Sequence, residues 1–324
     1  MRQLPRAAPA LVVALLACGR SGEPAERAGG DDPGPERAAD ARAAADITTA
    51  ADAAPAADPA APACTRLPFA ADLPVPEASG ADWFEGADGP TILVVSDSGN
   101  RGAWVEIDAG SGKVTPQGNL KLDKGASDDL EGLAIVGDTA YAITSSGYVR
   151  EWTRGKGGKP ARTAYPIGPA GDTPEALACA DPRAVNCGRN YEGLCVADPP
   201  PATGCAGYAV SKRDGLLICV TVAADGHLIG DPARTLAVGK PEHLTGCEIS
   251  PEGDRMWVGA NLFGRNAVWV VSEWSDPARA RVVHVGDFGP GFGEAIAVAP
   301  GAIVYRFSDT GGSPSLVEKW GCRR

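Results

Sequence analysis

From about residue 76 onward the chain alternates short apolar runs with turn residues, and the runs come in groups. A phrase of small or acidic residues leading into an apolar stretch occurs as Glu77-Ala-Ser-Gly80, Leu130-Glu-Gly-Leu-Ala134, Tyr191-Glu-Gly-Leu-Cys195, Leu244-Thr-Gly-Cys-Glu248 and Gly293-Glu-Ala-Ile-Ala297. It recurs about every 50 residues, the self-similarity of an array of repeated units. Behind each phrase comes a second stretch rich in β-branched or aromatic residues, at 91–95, 140–144, 207–210, 255–258 and 302–305. A third follows at 103–107, 148–152, 216–222 and 267–271. Runs of this length and composition read as strands, and turns such as Asp108-Ala-Gly-Ser-Gly112 and Pro251-Glu-Gly-Asp254 close hairpins between them. Repeated antiparallel sheets of short strands are the blades of a β-propeller. The expected fold is all-β, a propeller of five blades. Six blades is the alternative, because Glu175-Ala-Leu-Ala178 imitates the phrase, yet too few residues separate it from Tyr191 for three further strands.

The fifth blade lacks an obvious fourth strand after residues 316–320, so the segment 66–70 is expected to supply it. Pairing the first and last segments removes two open sheet edges. It also brings Cys64 beside Cys322, a disulfide that would staple the ring shut.

Residues 1–63 follow another pattern. Arg2 and Arg6 flank the start of an apolar run over residues 7–16, too short to span a bilayer as a helix, and residues 1–17 have the form of a signal peptide. Leu15-Leu16-Ala17-Cys18 resembles the bacterial lipobox, which implies cleavage before Cys18 and lipidation of that cysteine. An ordinary secretory signal with a chance cysteine is the alternative. Gly19 carries no inner-membrane retention cue. The expected location is therefore the cell envelope, as an outer-membrane lipoprotein facing the periplasm or the surface, with the lipid as its only membrane contact. Residues 18–63 are dominated by Ala, Pro and charged residues and hold no aromatic side chain. They bury too little apolar surface to offset the entropy of ordering and are read as a disordered tether, leaving 64–324 as the propeller domain.

Composition narrows the partners. A formal charge of −11 excludes an electrostatic grip on nucleic acid. Nine cysteines become eight once Cys18 is lipidated, an even number that suits disulfides in an exported chain. Cys179, Cys187, Cys195, Cys205, Cys219 and Cys247 lack the Cys-x-x-Cys spacing of a zinc site, and their pairing stays open.

Asn186-Cys-Gly188 followed by Tyr191-Glu-Gly-Leu194 resembles the Asn-x-Gly-(aromatic)-Glu-Gly-Leu phrase of the SdiA-regulated-like β-propeller family. Asp129-Leu-Glu-Gly132 with Thr139-Ala-Tyr-Ala-Ile143, Val210-Ser-Lys-Arg213, Leu244-Thr-Gly246 and Glu294-Ala-Ile-Ala297 resemble its successive blades in the same order, over nearly all of residues 76–320. The chain departs from the pattern in Arg189 and Asn190, inserted before the aromatic, in its cysteines, and in Gly-Glu-Ala where Glu-Gly is usual. The resemblance implies a propeller distantly similar to phytase-like and esterase-like ones. It implies little about activity.

In a propeller the first strand of each blade lines the central channel, and the loops leading into it open on the same face as those joining second and third strands. That face is expected to collect Glu77, Asp129, Glu131, Glu192, Glu248 and Glu294 from one set of loops. From the other it takes Asp97, Ser98, Asn100, Ser145, Lys212, Arg213, Asn261, Arg265, Ser308 and Asp309. Converging carboxylates are hard oxygen donors that suit Ca²⁺. Glu131, Glu192, Glu294, Asp97 and Asp309 are thus the candidate metal ligands, Ca²⁺ the candidate cofactor, and Lys212, Arg213, Asn261 and Arg265 the candidate contacts to a bound molecule. The alternative is that Glu131, Glu192 and Glu294 clasp backbone amides of neighbouring blades. Trp104, Trp152, Trp257, Trp269 and Trp320 are expected to fill the wedges between blades, and Phe263 to overhang the channel mouth. No catalytic residue is assigned: His243 is the only histidine near this face, and no Gly-x-Ser-x-Gly elbow occurs. The expected function is a binding or scaffolding module for a protein or small ligand, with calcium dependence. The alternative is a metal-assisted ester or phosphoester hydrolase using the same acidic channel.

Overall fold

The structure is a computed structural model that describes residues 62–70, 72–122, 127–154, 160–168, 177–238, 243–261, 265–311 and 313–323. The signal peptide, Cys18, nearly all of the tether and Phe263 lie outside the described residues. No helix among the described residues is long and apolar enough to cross a membrane.

The alternating runs form strands as their period requires. After β1 (Ala63–Leu67) and β2 (Asp72–Pro76), the chain builds four antiparallel four-stranded sheets in succession. Blade 1 holds β3 (Ala78–Gly86), β4 (Gly89–Ser96), β5 (Ala103–Asp108) and β6 (Val114–Asn119). Blade 2 holds β7 (Leu130–Val136), β8 (Thr139–Thr144), β9 (Tyr148–Thr153) and β10 (Pro160–Pro166). Blade 3 holds β11 (Tyr191–Val196), β12 (Gly207–Ser211), β13 (Leu216–Val222) and β14 (Leu228–Ala237). Blade 4 holds β15 (Leu244–Ile249), β16 (Arg255–Ala260), β17 (Ala267–Ser272) and β18 (Arg281–Asp287). In blade 5, β19 (Phe292–Ala299), β20 (Ile303–Asp309) and β21 (Pro314–Arg323) are completed by β1, which pairs with β21.

Five blades close the ring, and the six-blade alternative falls. Between β10 and β11 the described residues 177–190 form no strand, and Cys179 is bonded to Cys187 there. The closing strand is Ala63–Leu67 rather than 66–70: Cys64 stands opposite Cys322 and is bonded to it, which fixes the register, and Pro68, lacking an N–H, follows its last residue. Arg66 adds an ion pair to Glu318 across the same strands at 2.9 Å. The short β2, which the sequence pattern does not reveal, pairs with the start of β21. Two further disulfides join β11 to β15 through Cys195–Cys247 and tie blade 3 together through Cys205–Cys219. Every cysteine from Cys64 onward is therefore paired, which suggests an oxidising, extracytoplasmic compartment.

The core is divided among the wedges between blades. Five apolar clusters each join residues of two neighbouring sheets, including the pair that meets where the ring closes. Trp152, Trp257 and Trp269 are buried in three of them, with Trp104 and Trp320 packed against two, as expected of large rings in a tapering gap. Trp274, just beyond β17, is buried as well, its Nε1 donating to Gly253 O at 3.0 Å.

Around the axis the inner strands β3, β7, β11 and β15 touch through glycine. A Cβ on Gly132 would lie 2.2 Å from Leu194 N, one on Gly193 2.8 Å from Gly246 Cα, and one on Gly80 2.9 Å from Gly132 C. Backbone meets backbone here, and the channel narrows to a cavity of about 10 Å³. The waist divides it into two mouths that do not share one acidic lining. Gly132→Ala is expected to destabilise the fold by about 3 kcal/mol or more, since overpacked backbone has nowhere to move. Gly168→Ala, where the added carbon meets only ordinary contacts, is expected to change little. Urea unfolding midpoints of the two variants check this.

Candidate metal centre

Each inner strand carries a bulge on one side of the waist. Pairing skips from Leu130 opposite Thr144 to Gly132 opposite Ile143, which leaves Glu131 as the extra residue. The same shift falls at Ser79, Glu192 and Thr245, and within β19 it spans Glu294. A bulge turns its extra side chain out of the strand's alternation. At the two hydroxyl positions this produces clasps between blades: Ser79 donates to Leu130 O, and Thr245 Oγ1 donates to Gly293 O at 3.0 Å. The glutamates do not clasp. Among the described residues, no backbone amide donates to Glu131, Glu192 or Glu294. Instead, carboxylate oxygens of the three lie within 4.8 Å of one another, and a second such group joins Glu131 to Asp97 and Asp129.

The electrostatics follow from crowding anions out of water. Glu131 and Glu192 are each 3% exposed. Burial, then the charges of Glu192, Asp97, Asp129 and Glu294, hold Glu131 well above the usual carboxylate range. Burial, then repulsion from Glu192, pushes Glu294 up to about 8. Glu192 is raised by burial but held back to about 7 by Lys212, whose Nζ lies 3.0 Å from Glu192 Oε2. Burial raises Asp129 to about 6 against the pull of Ser145, whose N (3.2 Å) and Oγ both donate to it. Ser145 Oγ in turn accepts from Asn186 N at 2.8 Å, which ties the loop closed by Cys179–Cys187 to this acid. Asn190 donates to Glu192 at 3.0 Å, while its buried Oδ1 has no hydrogen-bond partner.

The other candidates are scattered. Asp309 accepts from Gly311 N at 2.7 Å and reaches Glu294 only through its charge. Asp129, omitted from the ligand set read from the sequence, joins the cluster; its signal was its place two residues before Glu131. Arg213 is exposed and donates to Gly188 O at 2.8 Å, and Arg265 pairs with Asp287 at 2.8 Å. Asn261 donates its backbone N to His243 O at 3.0 Å. Glu77 accepts from Asn100 Nδ2 at 2.7 Å within the loop that carries Asp97. Glu248 does not belong to this face. Aligned on its glycine, the fourth phrase puts Thr245 where Glu131 and Glu192 stand, and Glu248 lies beyond the waist with Asp82.

No protein-family model matches the chain, and no curated protein does. Solved structures match it as folds. An aldose sugar dehydrogenase from Streptomyces coelicolor, in its PQQ-bound form, is 16% identical over 82% of this chain and 100% of that one, with a TM-score of 0.50. Glutaminyl cyclase from Myxococcus xanthus is 14% identical over 81% and 98%, with a TM-score of 0.47. Hydrazine synthase from Kuenenia stuttgartiensis is 13% identical over 73% of this chain, with a TM-score of 0.39, and the match spans 56% of that chain. At 16% identity the match to the dehydrogenase speaks for the fold alone.

Proposed function

We propose that Glu131, Glu192 and Glu294 hold a divalent cation, Ca²⁺, and that the protein is a calcium-dependent binding module of the cell envelope, attached through Cys18 to the outer membrane. The observation that carries this is the convergence of three bulge-directed glutamates, with Asp97 and Asp129 adjoining and Lys212 paired to Glu192. The donors fit the ion. All are oxygens, the set hard Ca²⁺ selects over the imidazole and thiolate preferred by zinc, and the unpartnered Asn190 Oδ1 offers a neutral oxygen beside Glu192. A Ca²⁺ held by these residues would offset two of the cluster's negative charges and supply coordination positions for oxygen atoms of a ligand. The chain's own groups set the geometry: Lys212 orients Glu192, and Ser145 orients Asp129.

The raised acids give the proposal a pH signature. A carboxyl whose folded pKa is raised binds more protons in the native than in the unfolded state, so its contribution to stability falls as pH rises from the unfolded value through the folded one. With Glu192 near 7 and Glu294 near 8, chelator-treated protein is expected to lose stability between about pH 4.5 and 8. A carboxyl whose folded pKa stands one pH unit above its unfolded one contributes about 1.4 kcal/mol to that loss. Ca²⁺ should flatten the decline. Thermal melting of the full chain across this range, with Ca²⁺ and with chelator, tests it; superimposable curves would remove the cation from the proposal.

A second reading rests on the acids near neutrality. Glu192 and Asp129 have the values a general acid or base needs at pH 7, which keeps metal-assisted ester hydrolysis in view. A phosphoester suits the site poorly, because Lys212 is already engaged by Glu192 while Arg213 and Arg265 bond elsewhere. Turnover of p-nitrophenyl acetate by the Ca²⁺-loaded protein, lost on chelation, would favour the hydrolase; none would leave the binding module.

A further inference from the structure

Beyond the glycine waist the channel opens again into a cavity of about 600 Å³, unrelated to the cluster just described. Asp82 and Glu248, each two residues past a waist glycine, face each other at its floor and are 5% and 4% exposed. Ile135 N donates to Asp82 at 2.5 Å, and Ile249 N donates to Glu248 Oε1 at 2.9 Å. The two carboxyls hydrogen-bond to each other, and apart from that bond Glu248 Oε2 meets no donor. Two buried acceptors satisfy one another only while a proton stays between them, so a donor that replaces the proton can fill the site.

The walls and rim say what would fill it. Trp83, Phe84, Pro199 and Pro251 supply apolar surface, and the volume lies in the usual range for small-molecule pockets. Among the described residues, the titratable groups around the pair are Glu85, Asp138, Asp198 and Glu252, with Arg154 the one cation. Arg154 is spoken for, lying 3.9 Å over the Phe84 ring and 3.7 Å from Asp138. Such a lining rejects anions. Nor does it suit a metal ion: among the described residues, Asp82 and Glu248 belong to no cluster of three ligating groups.

We infer that this opposite mouth is a second binding site, for a small organic cation whose primary ammonium meets Glu248 and Asp82 while its apolar body lies against the walls. Burial raises Asp82 to about 8, and burial together with the Asp82 charge holds Glu248 well above its usual range, so the pair retains a proton near neutrality. An arriving ammonium replaces that proton, and binding releases it.

The probe is benzylamine, compared with benzyl alcohol and benzoate, titrated calorimetrically into the full chain at pH 7 in two buffers of different ionisation enthalpy. Benzylamine is expected to bind with release of about one proton, and the neutral and anionic analogues to bind at least about tenfold more weakly. Glu248→Gln, which keeps the shape and removes the charge, is expected to weaken benzylamine about tenfold while melting no lower than the parent; Asp82→Asn provides a second variant should the first fold poorly. Equal affinity for benzyl alcohol would mean a merely apolar cavity. That result, binding without proton release, or no benzylamine heat at millimolar concentration would overturn the inference.

Discussion

Glu131→Gln is expected to stabilise the chelator-treated protein and, at the same time, to abolish its response to Ca²⁺. Glu131 is the acid shared by both carboxylate groups, and burial with the charges of Glu192, Asp97, Asp129 and Glu294 raises it. At pH 7.5 the cation-free protein must keep it protonated or bear its repulsion. Gln has the same shape and no charge, so replacing Glu131 with it should raise the melting temperature of the chelator-treated protein at pH 7.5, where a buried carboxyl whose folded pKa is raised detracts from stability. In Ca²⁺ at a hundredfold excess over Kd the parent should gain about 2.7 kcal/mol and the variant almost nothing. A gain without the ion, together with loss of the ion's own stabilisation, distinguishes a binding site from a structural clasp, whose loss lowers the melting temperature under both conditions. Melting curves of both proteins in both buffers check it.

Paired substitution Cys64→Ser and Cys322→Ser has the other large effect. The bond joins residues separated by 258 positions and closes the ring between β1 and β21. In the chain-entropy picture, a crosslink spanning that many residues restricts the unfolded chain by about 5 kcal/mol. For a domain of this size the melting temperature should fall by roughly 10–15 °C. The fold itself should persist, because β1 still pairs with β21 from Ala63 to Leu67 and Arg66 still meets Glu318. Reduction of the Cys205–Cys219 bond, which spans only 14 residues within one blade, should cost less. Denaturant titration of each variant decides the order; equal losses would point to strain or packing rather than ring closure.

Much of the architecture was legible in the sequence, and the reasons are local. Short apolar runs rich in β-branched and aromatic residues, bounded by turn residues, mark the strands, and a phrase repeated about every 50 residues marks the blades. Cys64 and Cys322 identified the closure even though the closing strand begins at Ala63 rather than Arg66, because a disulfide fixes register and a strand propensity does not. What escaped were properties of two strands at once. Whether Gly132 permits contact or leaves a hole depends on Leu194, in another blade. Cys195 and Cys247 give no sign along the chain that β11 and β15 are neighbours.

The candidate site divides in the same way. Glu131, Glu192 and Glu294 stand out beside their glycine or alanine, and the structure brings them together. Asp129 was seen on the face but not among the ligands, since nothing in a one-dimensional pattern measures its approach to Asp97. Glu248 was grouped with them by its acidity, whereas its phase relative to Gly246 decides its side of the waist. The bulge is the missing piece of reasoning: it is the inserted residue, not the alternation, that aims each glutamate at its partners.

The most direct test of the cation site is calorimetric titration of the chelator-stripped full chain with CaCl₂ at pH 7.5, alongside Glu131→Gln and with metal analysis after dialysis. The account requires saturable binding accompanied by proton release, because the raised acids of the cluster must ionise as the ion enters. It also requires retained metal in the parent and an affinity loss of about a hundredfold or more in the variant. No binding heat and no retained metal in the parent, or binding undiminished in Glu131→Gln, would contradict it.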